Sequence, residues 1–218
     1  MGKDHVVRGT LGSSARWLEE GPASDRLSVT SEAMSDPNLE RMIGVVQDSL
    51  AMRPKDARQR TRLGELYQQV GKKNDALIAF RRAVKDDPEY ATARAALGAF
   101  LLEQGEWAEA EPCLLEAIRL KADLVAPYVT LANEYAKRGE FNAASEAYST
   151  ALTLRPDMVS LLRGAAEVAI KSRRLEDAAQ FLTLARAQTP DDPAVLLSLG
   201  MTTSELRQYP EARDALKA

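Results

Sequence analysis

The chain has almost none of the material from which most active sites are built. It holds one histidine, His5, and one cysteine, Cys113, in 218 residues. A histidine-based triad or a Cys/His zinc cluster needs several such side chains in one place, so neither can assemble, and no cofactor or metal is expected. A lone cysteine cannot close an intramolecular disulfide, which fits a reducing compartment. Cys113 reads as a small apolar filler. Long apolar runs are missing too. The longest, Ala95 to Leu102, falls far short of the roughly 18 residues that a spanning helix requires. Lys3 and Arg8 are not followed by an apolar stretch, and Val6 stands where myristoylation needs Ser or Thr. The expectation is a cytoplasmic protein with no membrane insertion. An excess of positive charge is also lacking: 29 Lys and Arg face 32 Asp and Glu, for a net charge of −3. Nucleic-acid binders usually carry a basic patch or stripe, so none is expected here. The glycines are dispersed, and no G-x-x-x-x-G-K-[ST] phosphate loop occurs.

What the chain does have is a period. Ala76 recurs as Ala110, Ala144, Ala178 and Ala212, always 34 residues on. A fixed period of this length marks a repeat array that grows linearly. With slot 1 set at Ala57, slot 8 is Gly64, Gly98, Ala132, Ala166 and Gly200. Slot 27 is Ala83, Ala117, Ala151 and Ala185, and slot 24 is Phe80, Leu114, Tyr148, Leu182 and Leu216. These spacings each trace one face of an α-helix. They predict two helices per unit, over slots 2 to 14 and 18 to 30. Gly71, Gly105 and Gly139 fall where the first helix must stop. Pro88, Pro156 and Pro190 fall just past the second. Small slots let two helices approach closely, and the large apolar slots fill the space beside the contact.

The pattern resembles the tetratricopeptide repeat family. Leu63-Gly64, Tyr67, Ala76, Phe80, Ala83 and Pro88 carry the resemblance in the first unit. In the third unit Tyr128, Leu131-Ala132, Tyr135, Ala144, Tyr148, Ala151 and Pro156 repeat it. The resemblance implies an all-α, right-handed α-solenoid of antiparallel hairpins. The units are 57–90, 91–124, 125–158 and 159–192, with 193–218 incomplete. The pentatricopeptide family is a neighbour, but its usual period is one residue longer. Slot 4, where the family favours Trp, holds Arg60, Arg94, Tyr128, Leu162 and Leu196. The fourth unit has Ala165 and Ala169 where Leu and Tyr sit elsewhere, and Arg173 replaces the helix-ending glycine. It is therefore expected to be the most loosely packed unit and a hinge.

Upstream, Leu39, Met42, Ile43, Val46 and Leu50 keep helical spacing, with Met42, Val46, Ser49 and Pro54 in phase at slots 20, 24, 27 and 32. Residues 36–56 read as a degenerate half repeat that caps the array, starting near Asp36-Pro37. Residues 1–35 read as a flexible arm, with a short helical turn around Trp17. The fifth unit stops at Ala218 without a polar capping helix. Three readings follow: a larger protein, a partner on that end, or homo-oligomerisation through it.

In the resembled family, successive first helices line a concave groove that holds a partner's extended segment or helix. Slots 5 and 9 face it by that analogy. Here they are Thr61 and Glu65, Ala95 and Ala99, Val129 and Asn133, Arg163 and Glu167, then Leu197 and Met201. Slots 2 and 12 include Ser160 and Ile170. Asn133 can donate to and accept from a peptide backbone, and Arg163 can hold a carboxylate bidentately. No unit pairs Lys at slot 5 with Asn at slot 9, which disfavours chaperone-tail binding. Slot 6 reads Arg62, Ala96, Thr130, Gly164 and Ser198, with no asparagine ladder. Trp107, Phe141 and Tyr209 share slot 17 and read as packing between helices. The first unit has net charge +3 and the second −3. The expected function is a non-enzymatic protein-interaction scaffold. The alternatives are the docking region of a larger enzyme, or a self-assembling scaffold.

Overall fold

The computed structural model describes residues 36–206, which fold as ten α-helices without a strand among them. The arm, Trp17 and the second helix of the fifth unit, with Tyr209 and Ala212, lie outside the described residues. In order the helices are α1 (Pro37–Met52), α2 (Ala57–Gln69), α3 (Lys73–Asp86), α4 (Ala91–Glu103), α5 (Trp107–Leu120), α6 (Val125–Lys137), α7 (Phe141–Leu154), α8 (Val159–Lys171), α9 (Leu175–Gln188) and α10 (Pro193–Glu205). The hairpins of the first four 34-residue units are present, and each described helix after α1 starts one residue earlier than the spacing predicts. The residue before slot 1 or slot 17 serves as the N-cap. Asp56 accepts from Gln59 N, and Asp192 from Ala194 N and Val195 N. These carboxylates satisfy amides that the first turn leaves without partners.

The small slots are buried. Ala76, Ala83, Ala110, Ala117, Ala144, Ala151, Ala178 and Ala185 have no exposed surface. A Cβ on Gly64 would come within 2.7 Å of the Phe80 ring, and one on Gly98 within 2.7 Å of Leu114 Cγ. Slot 8 of a first helix thus receives slot 24 of its own second helix. Each helix packs on the next, and first helices also touch the next first helix: α2 with α4, α4 with α6, α6 with α8. The second helices make no comparable run of contacts. The stack in residues 37–206 is therefore an α-solenoid with first helices on its inner face.

The first helices end in one repeated device. Gly71, Gly105 and Gly139 have φ of 75°, 83° and 80°. The following amide reaches back to the helix: Lys72 N to Tyr67 O, Glu106 N to Leu101 O, Glu140 N to Tyr135 O. This is the Schellman closure, which needs a left-handed residue. The fourth unit makes the same closure, Arg174 N to Ala169 O at 2.8 Å, with Arg173 at φ 61°. Its turn is preserved by forcing a side-chain-bearing residue into the left-handed region. Ala165 and Ala169 are buried, and Phe181 of α9 packs into the clusters on both sides of α8.

Two departures at slot 4 have a structural reason. Arg60 donates to Pro54 O and pairs with Asp86, and Arg94 Nε donates to Pro88 O at 2.9 Å. Each arginine ties down the proline loop that enters its own unit. In later units Leu162 and Leu196 are buried instead. Charges of the first two units meet each other, as in Arg81–Glu109 at 2.7 Å. On α1, Ile43 and Val46 are buried against Leu63 and Leu66, whereas Met42 is 37% exposed. The other slot-20 residues are alanines clamped between both helices of a unit; α1 packs chiefly on α2 alone.

Two measurements check these packing arguments. Ala144→Leu should destabilise by about 1–3 kcal/mol, since overpacking pushes α6 and α7 apart; an unchanged melting temperature would contradict the slot assignment. Arg173→Gly should stabilise by about 0.5–1 kcal/mol by relieving the left-handed backbone. The ion pair it removes, Arg173–Glu205, is too exposed to offset that gain. Urea midpoints decide the sign.

Candidate functional site

On the inner face the regular packing changes between the third and fourth units. Slot 8 of the third unit is Ala132, and slot 24 is Tyr148, a longer residue than Phe80 or Leu114. Its ring extends toward α8, where slot 6 is Gly164. A Cβ there would lie 2.5 Å from Tyr148 Cζ. Any larger residue at that slot would evict the tyrosine. The Tyr148 hydroxyl emerges beside α6 and donates to Asn133 Oδ1 at 2.5 Å. Burial, followed by the charge of Glu167, pushes the Tyr148 phenol up. It therefore stays protonated, and remains a donor, at neutral pH.

Around this hydroxyl lies a recess of 480 Å³, lined by Asn133, Tyr148, Ser160, Arg163, Glu167 and Ser198 among others. Arg163 has its nearest acid, Asp192 Oδ2, at 3.9 Å, while Asp192 Oδ1 caps α10. Glu167 Oε1 accepts from Lys171 Nζ at 2.7 Å. Asn133 is exposed, lines the recess, and keeps its amide NH2 free of hydrogen bonds to described residues. The site thus has polar donors over an apolar floor that includes Leu182.

Of the groove residues read from the sequence, Asn133, Arg163 and Glu167 come together here. Glu65 lines a second recess of 380 Å³ with Arg58, Arg62 and Tyr90. Thr61 borders it but is only 3% exposed, and its hydroxyl is spent on Ala57 O, so it offers no polar group. Ala95, Ala99 and Val129 are half-buried and line neither recess. Tyr148 and Gly164 were not among the expected site residues. Their signal was a pair: the longest slot-24 side chain followed by a glycine at slot 6 of the next helix, where glycine costs about 1 kcal/mol relative to alanine. Elsewhere Trp107 meets the edge of Tyr135 at 5.5 Å and carries Arg138 over its ring at 5.1 Å, so that aromatic is packing. Burial raises the Cys113 thiol above its usual range, and no group of three potential metal ligands occurs among the described residues. No described helix is long and apolar enough to cross a membrane.

An all-helical solenoid of paired helices with a recessed inner face is, in general terms, a protein–protein interaction scaffold. The family model for the tetratricopeptide repeat matches residues 61–124 and 129–193, and the chain belongs to that family. Anaphase-promoting complex subunit 6 of Arabidopsis thaliana is 27% identical over 146 residues, which is 66% of this chain and 26% of that protein. The chain thus spans about a quarter of that relative's length. Among solved structures, pilF of Pseudomonas aeruginosa is similar with a TM-score of 0.72, 22% identity and coverage of 82% and 81%. YrrB, a TPR protein with an unusual peptide-binding site, gives 0.67 at 17% identity, covering 79% of this chain and 89% of its own. These likenesses concern the fold.

Gly164→Ala separates site geometry from helix propensity. Propensity alone would stabilise by about 1 kcal/mol, but displacing Tyr148 should reverse the sign, to a loss of about 1–2 kcal/mol. On a Tyr148→Ala background the same substitution should become stabilising. Equal effects in both backgrounds, by denaturant titration, would show that the two residues do not touch.

Proposed function

We propose that the chain is a non-enzymatic adaptor whose inner groove holds an extended or helical segment of a partner protein. The observation that carries this reading is the recess at Gly164. It is an opening rimmed by hydrogen-bonding groups that the fold leaves unpaired. The Asn133 amide NH2 has no protein acceptor among the described residues, and Arg163 has only a distant acid. Groups left over in a concavity are what a ligand would engage. The half-buried Ala95, Ala99 and Val129 extend the wall toward the second recess, giving room for a chain rather than a small molecule. YrrB, described by its peptide-binding site, supports a peptide in the groove by likeness of fold.

The test is the double variant Asn133→Ala/Arg163→Ala in the full chain. Both residues are exposed and outside the helix crossings, so the melting temperature should stay within a degree or so while partner capture falls by at least about tenfold. Partners retained at full strength by a folded double variant would place recognition elsewhere.

A further inference from the structure

The recess also indicates what the partner brings to it, and this step rests on the groove reading above. We infer that it receives the side-chain carboxylate of an aspartate or glutamate within the partner segment, with a large apolar residue of that segment lying on Leu197 and Met201. The donors converge on one kind of guest. Arg163 keeps most of its five N–H groups uncommitted, because Asp192 stands 3.9 Å away and its other oxygen holds the α10 amides. Asn133 Oδ1 accepts from Tyr148, and its amide NH2 makes no hydrogen bond to a described residue. The hydroxyls of Ser160 and Ser198 complete the rim. Glu167 is the opposing charge, and its Oε1 accepts from Lys171 Nζ at 2.7 Å, so Arg163 is the cation of the recess whose N–H groups stay open.

A carboxylate fits that set. It can take the guanidinium bidentately, in a pair of charge-assisted hydrogen bonds, and still accept from an amide. A basic guest would face Arg163. An apolar one would leave its donors desolvated and unpaired. The apolar half of the motif follows from the repeat. Leu197 and Met201 occupy on α10 the slots that Arg163 and Glu167 occupy on α8, and they are 53% and 64% exposed. Ser198, next to Leu197 in the same turn of α10, lines the recess itself, and on that basis the inference places the apolar pair beside the charged one.

The experiment is selection of random peptides displayed on phage against the full chain, followed by affinity measurement with one synthetic winner. The expected winners share an acidic residue near a large apolar one. Exchanging the peptide's acid for its amide should weaken binding about tenfold, and so should Arg163→Gln. The two changes together should cost little more than either alone, because they remove the same contact. Winners that are lost on Ala99→Arg, which blocks the groove, yet carry no acid and tolerate Arg163→Gln would overturn the inference and leave the groove standing. Winners that tolerate both substitutions, or no winners at all, would overturn the groove reading and this inference with it. Circular dichroism melts of each variant confirm that the fold is intact.

Discussion

Close approach of helix backbones at slots 8, 20 and 27 is the constraint from which the rest of the structure follows. At these positions a second helix lies against a first helix with nothing larger than a methyl group between them, and often with no Cβ at all. The large residue at slot 24 then has one place to go, into the hole opposite slot 8. Because each unit satisfies this rule with its own helices and its neighbours', no central core is required. The array extends by addition. Its inner face is built from the exposed sides of the first helices. That face is free to vary, since the packing lies on the other side of each helix.

The candidate site is the same rule applied across a unit boundary. In the third unit an alanine replaces the slot-8 glycine, and a tyrosine replaces the shorter slot-24 side chain. The ring reaches past its own unit to the next glycine, at slot 6 of α8. A hydroxyl is thereby carried from the hydrophobic interior to the groove wall, where it sets the orientation of Asn133. Packing and the proposed recognition site are linked through one side chain. The fourth unit meets the demand with Gly164 in a helix interior and Arg173 in a left-handed turn, two locally unfavourable choices that the tertiary structure sustains.

Much of this was legible in advance, for particular reasons. Ala76, Ala110, Ala144 and Ala178 repeat because a crossing tolerates only small residues, so the period reports the fold directly. Gly71, Gly105 and Gly139 announce the turn because few other residues adopt its backbone freely. Helix starts were placed one residue late because the N-cap contributes no periodic side chain; Asp56 and Asp192 were the visible clues. Thr61 occupies a slot that faces the groove elsewhere, yet it is buried. Slot number conveys direction and not depth. Arg60 and Arg94 looked like departures from the family, and their role appears only when the carbonyls of Pro54 and Pro88 are seen beside them. The fourth unit, expected to be the most loosely packed, keeps the Schellman closure of its neighbours and buries its alanines.

By itself the amino-acid sequence determined the class of object: helical pairs in a regular stack, a family, and a wall of first helices bearing Asn133, Arg163 and Glu167. These follow from periodicity, which is a property of the chain taken one residue after another. Only the tertiary structure decided that these three residues share a recess with Tyr148, and that Tyr148 commits the Asn133 oxygen. That outcome depends on how far a ring reaches between units and on whether the facing helix has a Cβ in its way. Such distances belong to side chains more than a dozen residues apart, and no repeat pattern encodes them.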